Sequence, residues 1–119
     1  MKELQQFAKQ LQEELHYQIE DKDYATSKTS LLMNQMLLTT EVAEVAELLR
    51  ELFEKTDALI TEGMDEDQAF AVVKEEITEE LGKEISDCIA YLTKLSNFFG
   101  RDMETDFYGK MEEVRERVK

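Results

Sequence analysis

The sequence predicts an all-α protein, a four- to five-helix bundle with long antiparallel helices that is oligomeric. Three observations carry this. Proline is absent from all 119 residues and glycine occurs only at positions 63, 82, 100 and 109, so little in the chain breaks a helix. Glu, Leu and Lys are the commonest residues, and all are good helix formers. Apolar residues recur at three- and four-residue spacing, the period of a helix with one covered face. The length fits a single domain, 1–119, large enough to bury a core.

The first helix is predicted from about Lys2 to Glu20, with Leu4, Phe7, Leu11, Leu15 and Ile19 on one face. Residues 21–29 are polar and read as a loop, with Ser27 or Thr29 capping the second helix. That helix runs from about Ser30 to Ile60. Gly63 terminates it and Asp65 supplies the next N-cap. A third helical region follows from about Glu66 to Phe99, with an interruption expected near Glu75–Gly82. Gly100 stops it, Asp102 caps the last helix, and Phe107, Met111, Val114 and Val118 form a narrow apolar stripe there.

A second helix of that length would reach about 46 Å at about 1.5 Å per residue. A compact domain of this size has a radius of gyration of only about 13–14 Å. The helix therefore bends or projects, and Leu48, Leu52, Phe53, Leu59 and Ile60 need cover. Homo-oligomerisation supplies it, with a symmetric dimer as the default.

Charge excludes several functions. Twenty-eight acidic residues face 14 basic ones, for a formal net charge of −14. Such a field repels nucleic acid and anionic membrane, so neither is an expected partner. A phosphate-bearing ligand would need metal ions to mask the repulsion. The single cysteine, Cys88, has no internal disulfide partner, and it reads as a buried small hydrophobe. The N-terminal segment is amphipathic and acid-bearing, unlike a signal peptide, and no apolar run approaches a membrane span. A cytoplasmic location is the expectation.

Two acidic pairs, Glu41/Glu44 and Glu84/Asp87, carry the functional signal. A shift of 43 residues superposes Leu38, Glu41, Val42, Glu44, Val45, Ala46, Leu49 and Leu52 on Leu81, Glu84, Ile85, Asp87, Cys88, Ile89, Leu92 and Leu95. Both segments present a stripe of about 120°, with the acids along the same edge. If the stripes pack together, four carboxylates converge beside the core. Like charges so held cannot all stay ionised unless something neutralises them. Spacing alone favours two solvated helix edges, because chance ExxE pairs are common in so acidic a chain. The matched apolar contexts favour a shared site.

Carboxylates without His or Cys partners suit magnesium, with manganese as the alternative, rather than zinc. His16 is the only histidine and lies on the first helix, so it reads as surface or inter-helix packing. The di-iron pattern of Glu-x-x-His on two helices is absent. An open carboxylate cage suits hydrolysis of a polyphosphate by a metal-activated water. Glu47, one turn below the first pair, and Glu80, one turn above the second, are candidates to orient that water, although Glu80 also reads as a plain surface acid.

The segments Leu38-Thr-Thr-Glu-Val-Ala-Glu44-Val-Ala-Glu47-Leu48 and Glu84-Ile-Ser-Asp87-Cys-Ile-Ala-Tyr-Leu92 resemble those of the MazG-like, all-α nucleoside triphosphate pyrophosphohydrolases. The signature of that family is EExxE, a spacer, and ExxD before an apolar run. Thr40 stands where the family commonly has another Glu. The stretch from Leu95 to Arg117 is similar to the family's Gly-x-Asp turn followed by K-x-x-x-N-x-x-R, with Lys110 and Arg117 at its ends and Val114 in place of Asn. The resemblance covers roughly residues 30–117. It implies magnesium-dependent cleavage of a (deoxy)nucleoside triphosphate between the α- and β-phosphates, and a homodimer that often pairs into a tetramer, a dimer of dimers. It also implies Glu41, Glu44, Glu84 and Asp87 as metal ligands; with Glu47, the positional candidate named above, Glu41 and Glu44 make up the catalytic group expected here. Lys110 and Arg117 then face phosphates, or simply balance the dipole of their helix or a neighbouring acid.

For the base, Phe7, Tyr24, Met33, Asn34 and Met36 are available, and Asn34 is the candidate to read a base edge. Two rival functions remain beside the enzyme: a non-enzymatic helical interaction module, and a nucleotide-binding regulator without turnover.

Overall fold

The computed structural model describes residues 1–118 and consists of four helices: α1 (Lys2–Glu14), α2 (Tyr24–Thr61), α3 (Glu66–Phe98) and α4 (Met103–Val118). No strand occurs among the described residues. The chain divides into two compact units. Unit 1 comprises Met1–Gln35 and the chain from Ala90 onward, and unit 2 comprises Met36–Ile89.

Helix ends follow from a few residues. At Gly63, φ is +106, the Gly63 N–H donates to Ile60 O at 3.0 Å and the Met64 N–H to Leu59 O at 3.0 Å. This paired closure satisfies the last carbonyls of α2 and needs a left-handed residue. Gly100 repeats it with φ +65, through Gly100 N–H to Asn97 O and Arg101 N–H to Ser96 O. Asp65 caps α3 through the Gln68 N–H at 3.1 Å. Asp102 caps α4 through the Glu104 N–H at 3.1 Å. These four match the expectations drawn from sequence.

Three expectations are corrected. Helix α1 ends at Glu14 rather than near Glu20, because His16 takes a left-handed φ of 57 and the Tyr17 N–H returns to Gln12 O at 2.7 Å. Histidine there makes the closure that glycine makes elsewhere, a position with no reliable sequence mark. Helix α2 starts six residues early, since Asp23 accepts from the Thr26 N–H at 2.8 Å. Ser27 and Thr29 are therefore helical rather than capping, and the Thr29 hydroxyl bonds back to Ala25 O at 3.1 Å. Helix α3 runs without interruption through Gly82, where buried Val73 and Ile77 and half-buried Leu81 on one face outweigh the roughly 1 kcal/mol that glycine costs.

Unit 2 holds the apolar core. Leu48 and Leu52 of α2 and Val73 and Ile77 of α3 are buried, with Leu59 and Leu81 packed against them. Each such side chain contributes about 1.5–3 kcal/mol by burial. Thr56 is buried on the same stretch of α2 and satisfies its hydroxyl on Leu52 O at 2.7 Å.

Unit 1 is held by amides where the sequence predicts a greasy stripe. Leu4, Phe7, Leu11 and Leu15 are exposed, Phe7 by 65%, while Gln5 and Gln12 are each only 8% exposed. Spaced by seven residues, these glutamines share one face of α1. Gln5 Nε2 donates to Asn97 Oδ1 and to Arg101 O, each at 2.8 Å, and Gln5 Oε1 accepts from the Met103 N–H at 2.9 Å. Gln12 Nε2 donates to Ala90 O and to Thr93 Oγ1, each at 3.1 Å. Ile19, beyond the helix, is buried, and the Glu20 N–H donates to Ser30 Oγ at 3.0 Å.

Candidate metal centre

In unit 2, Glu41 of α2 meets Glu84 and Asp87 of α3. Each offers a carboxylate oxygen, and the three oxygens lie within 4.8 Å of one another. Glu41 and Glu84 are half-buried and Asp87 is exposed. The i, i+3 step from Glu84 to Asp87 sets both on one face of α3.

Electrostatics register the crowding. The Glu41 carboxyl is pushed above its ordinary value by burial, then by the charges of Asp87 and Glu44 and by a hydrogen bond to Asp87. The Glu84 carboxyl is likewise raised, by burial first and then by Glu44, Asp87, Glu80 and Glu41. Glu44 is exposed and stands outside the closest trio, yet it acts on two of its members. None of the four forms an ion pair among the described residues. Cys88 is half-buried rather than fully buried, and burial followed by Glu41, Asp87 and Glu84 raises its thiol. That makes it a poor nucleophile.

Beside the trio lies an acidic cavity of about 390 Å³ whose lining includes Glu44, Glu47, Glu51, Glu80 and Glu84. Arg50 is the one basic residue in that wall, and it is engaged by Glu47 and, at 3.9 Å, by Glu54. Glu47 is thus tied to a guanidinium, whereas Glu80 faces the cavity and contributes to the field on Glu84.

The donor set fits a hard cation. Magnesium–oxygen distances of about 2.0–2.1 Å put opposite ligand atoms about 4.1 Å apart. Three oxygens spread over at most 4.8 Å can close around one such ion with small side-chain adjustments.

The remaining predicted residues sit elsewhere. Asn34 is buried in unit 1, where its Nδ2 donates to Ser30 O at 2.8 Å and its Oδ1 accepts from Lys94 Nζ at 3.3 Å. Lys110 and Arg117 are exposed on α4, and Lys110 pairs with Glu113 at 3.3 Å. Phe7, Tyr24, Met33 and Met36 are all exposed.

Sequence reasoning missed Lys94, Asn97 and the two buried glutamines. Lys94 did leave a trace, being the one charge between Ile89 and Phe99. Gln5 and Gln12 left only their seven-residue spacing, on a helix whose apolar stripe drew the inference to a neighbouring face.

No known family, curated protein or solved structure matches the chain.

Proposed function

We propose that this protein is a MazG-like nucleoside triphosphate pyrophosphohydrolase that uses magnesium, or manganese, to cleave a (d)NTP into (d)NMP and pyrophosphate. One observation carries the proposal: three carboxylate oxygens from Glu41, Glu84 and Asp87 within 4.8 Å, with no basic side chain paired to them among the described residues. Ionised together, such groups repel, and a divalent cation removes the repulsion. All-oxygen ligands suit magnesium or manganese. When bound, the ion supplies Lewis acidity toward phosphoryl oxygens.

Glu41, Glu84 and Asp87 hold the ion, and Glu44 completes the set. An acid adjoining the site takes a proton from the attacking water. Glu47 can serve only by leaving Arg50, and an exposed pair of that kind is worth at most about 1 kcal/mol. The motif order from Leu38 to Arg117 supplies the substrate class, and a chain of net charge −14 needs cations to hold a triphosphate at all.

The exposed stripe of Leu4, Phe7, Leu11 and Leu15 supports an assembly of identical chains, a homodimer or a dimer of dimers with long antiparallel helices. Its setting would be the cytoplasm, in control or cleansing of the nucleotide pool.

The test is a pair of isosteric variants, Glu44→Gln and Asp87→Asn. Both are expected to lose manganese binding in a titration followed by electron paramagnetic resonance, and to lose turnover, while the metal-free fold melts at an equal or higher temperature. Wild-type turnover in Asp87→Asn refutes the proposal, and collapse of both folds marks the acids as structural.

A further inference from the structure

Acids outnumber bases two to one in this chain, yet Lys94 of α3 forms no ion pair among the described residues. It is half-buried. Its Nζ donates to Asn34 Oδ1 at 3.3 Å and lies 4.6 Å from the ring centroid of Tyr91 and 5.7 Å from that of Tyr17. Burial pulls the Lys94 ammonium below its usual value, and no carboxylate offsets the effect. A lysine kept here costs more than Met or Leu would, since its charge is partly desolvated against neutral partners.

The same lysine lines a unit 1 cavity of about 300 Å³ that Glu13, Ile19, Asp21, Asn97 and Phe98 also border. Asn97 has a fixed orientation, because its Oδ1 accepts from Gln5 Nε2 at 2.8 Å. The amide nitrogen left over, Asn97 Nδ2, is buried and lacks an acceptor among the described residues. Buried donors rarely stay unmet. The cavity joins the Lys94 ammonium to the apolar surfaces of Ile19 and Phe98, with the carboxylates of Glu13 and Asp21 at hand as acceptors and Lys9, Gln12 and Gln18 also in its lining. A planar ring bearing carbonyl oxygens and N–H groups matches that lining.

We propose that this cavity receives the base of an oxo-bearing nucleotide, and that Lys94 selects against adenine by donating to a ring carbonyl oxygen. This rests on the nucleotide-hydrolase reading above for the class of ligand and concerns the unit 1 cavity alone. Cytosine, uracil, thymine and guanine all carry such an oxygen. Adenine has none and leaves the half-buried ammonium without its acceptor. Loss of one hydrogen bond to a charged group corresponds to about 10–100-fold in affinity.

Nucleosides test this without phosphate, metal or turnover. The full chain, labelled with nitrogen-15, is titrated with thymidine, deoxycytidine, deoxyguanosine and deoxyadenosine, and separately with tripolyphosphate. The first three are expected to move the side-chain amide signals of Asn34 and Asn97, with deoxyadenosine at least 10-fold weaker. Lys94→Met is expected to erase that preference and Lys94→Arg to keep it. Equal binding of all four, no shift from any of them, a preference that survives Lys94→Met, or displacement of the same signals by tripolyphosphate overturns the proposal. Since nucleosides cannot be hydrolysed here, absence of pyrophosphate release would sink the enzymatic reading and leave this result standing.

Discussion

Replacing Gln5 by Leu tests whether α1 is held by its amides or by its apolar stripe. The substitution keeps side-chain volume and helix propensity while deleting three hydrogen bonds, to Asn97 Oδ1, Arg101 O and the Met103 N–H. At about 1 kcal/mol net for each, the loss is about 3 kcal/mol, and the orphaned Met103 N–H at the start of α4 adds to it. Phe7→Ala is the control. Phe7 is 65% exposed, so truncating it costs the dissociated chain only about 0.5–1 kcal/mol. The assay is urea unfolding followed by helical circular dichroism, at a concentration low enough to keep the chain monomeric. Gln5→Leu should move the midpoint strongly and Phe7→Ala little. The reverse ranking would refute the account of unit 1 and return the apolar face of α1 to the interior. If the chain assembles through this stripe as proposed, Phe7→Ala should make stability depend less on protein concentration than in the wild type.

Other outcomes follow from the same structure. Metal-free stability should fall on both sides of a maximum in pH. Asp23, lowered by the hydrogen bonds from Thr26, and Asp106, lowered by its hydrogen bond from Arg101, stabilise above their ordinary value of 3.8, and that contribution disappears as pH drops. Glu41 and Glu84 are raised from 4.5, so the folded state binds the extra protons and loses stability as pH climbs past that value. Glu84→Gln, melted in EDTA across pH, should flatten the upper limb and leave the lower one unchanged. In unit 2, Leu52→Ala should cost about 2–5 kcal/mol in denaturant unfolding, because Leu52 is only 5% exposed within the Leu48–Ile77 cluster. Gly82→Ala should stabilise by about 0.5–1 kcal/mol in the same assay, as a Cβ there meets nothing within 4 Å.

The all-helical fold and the ends marked by Gly63, Asp65, Gly100 and Asp102 were legible because each residue has a local geometric or capping reason to be there. The end of α1 was not legible. His16 adopts a glycine-like conformation, and nothing local to its side chain announces it. The inner face of α1 was hidden for a different reason: periodicity ranks faces by hydrophobicity and cannot see that buried carbonyls and amides of the turn at Gly100–Met103 need glutamine partners. The acidic pairs were legible from matched spacing, and three of the four residues converge as expected. Glu44 lies outside the closest trio and lines the adjoining cavity with Glu47, Glu51 and Glu80. Lys94 needed the structure, since its significance lies in what surrounds it.

The central claim is hydrolysis at the α–β phosphate bond under control of the Glu41–Glu84–Asp87 carboxylates. The most direct measurement is phosphorus-31 detection of the products formed from each of the eight common NTPs and dNTPs, with magnesium and again with EDTA. A nucleoside monophosphate and pyrophosphate in equal amounts, formed only with magnesium and lost in Asp87→Asn, is the predicted result. A diphosphate with free phosphate, or product formation unaffected by EDTA, would contradict it.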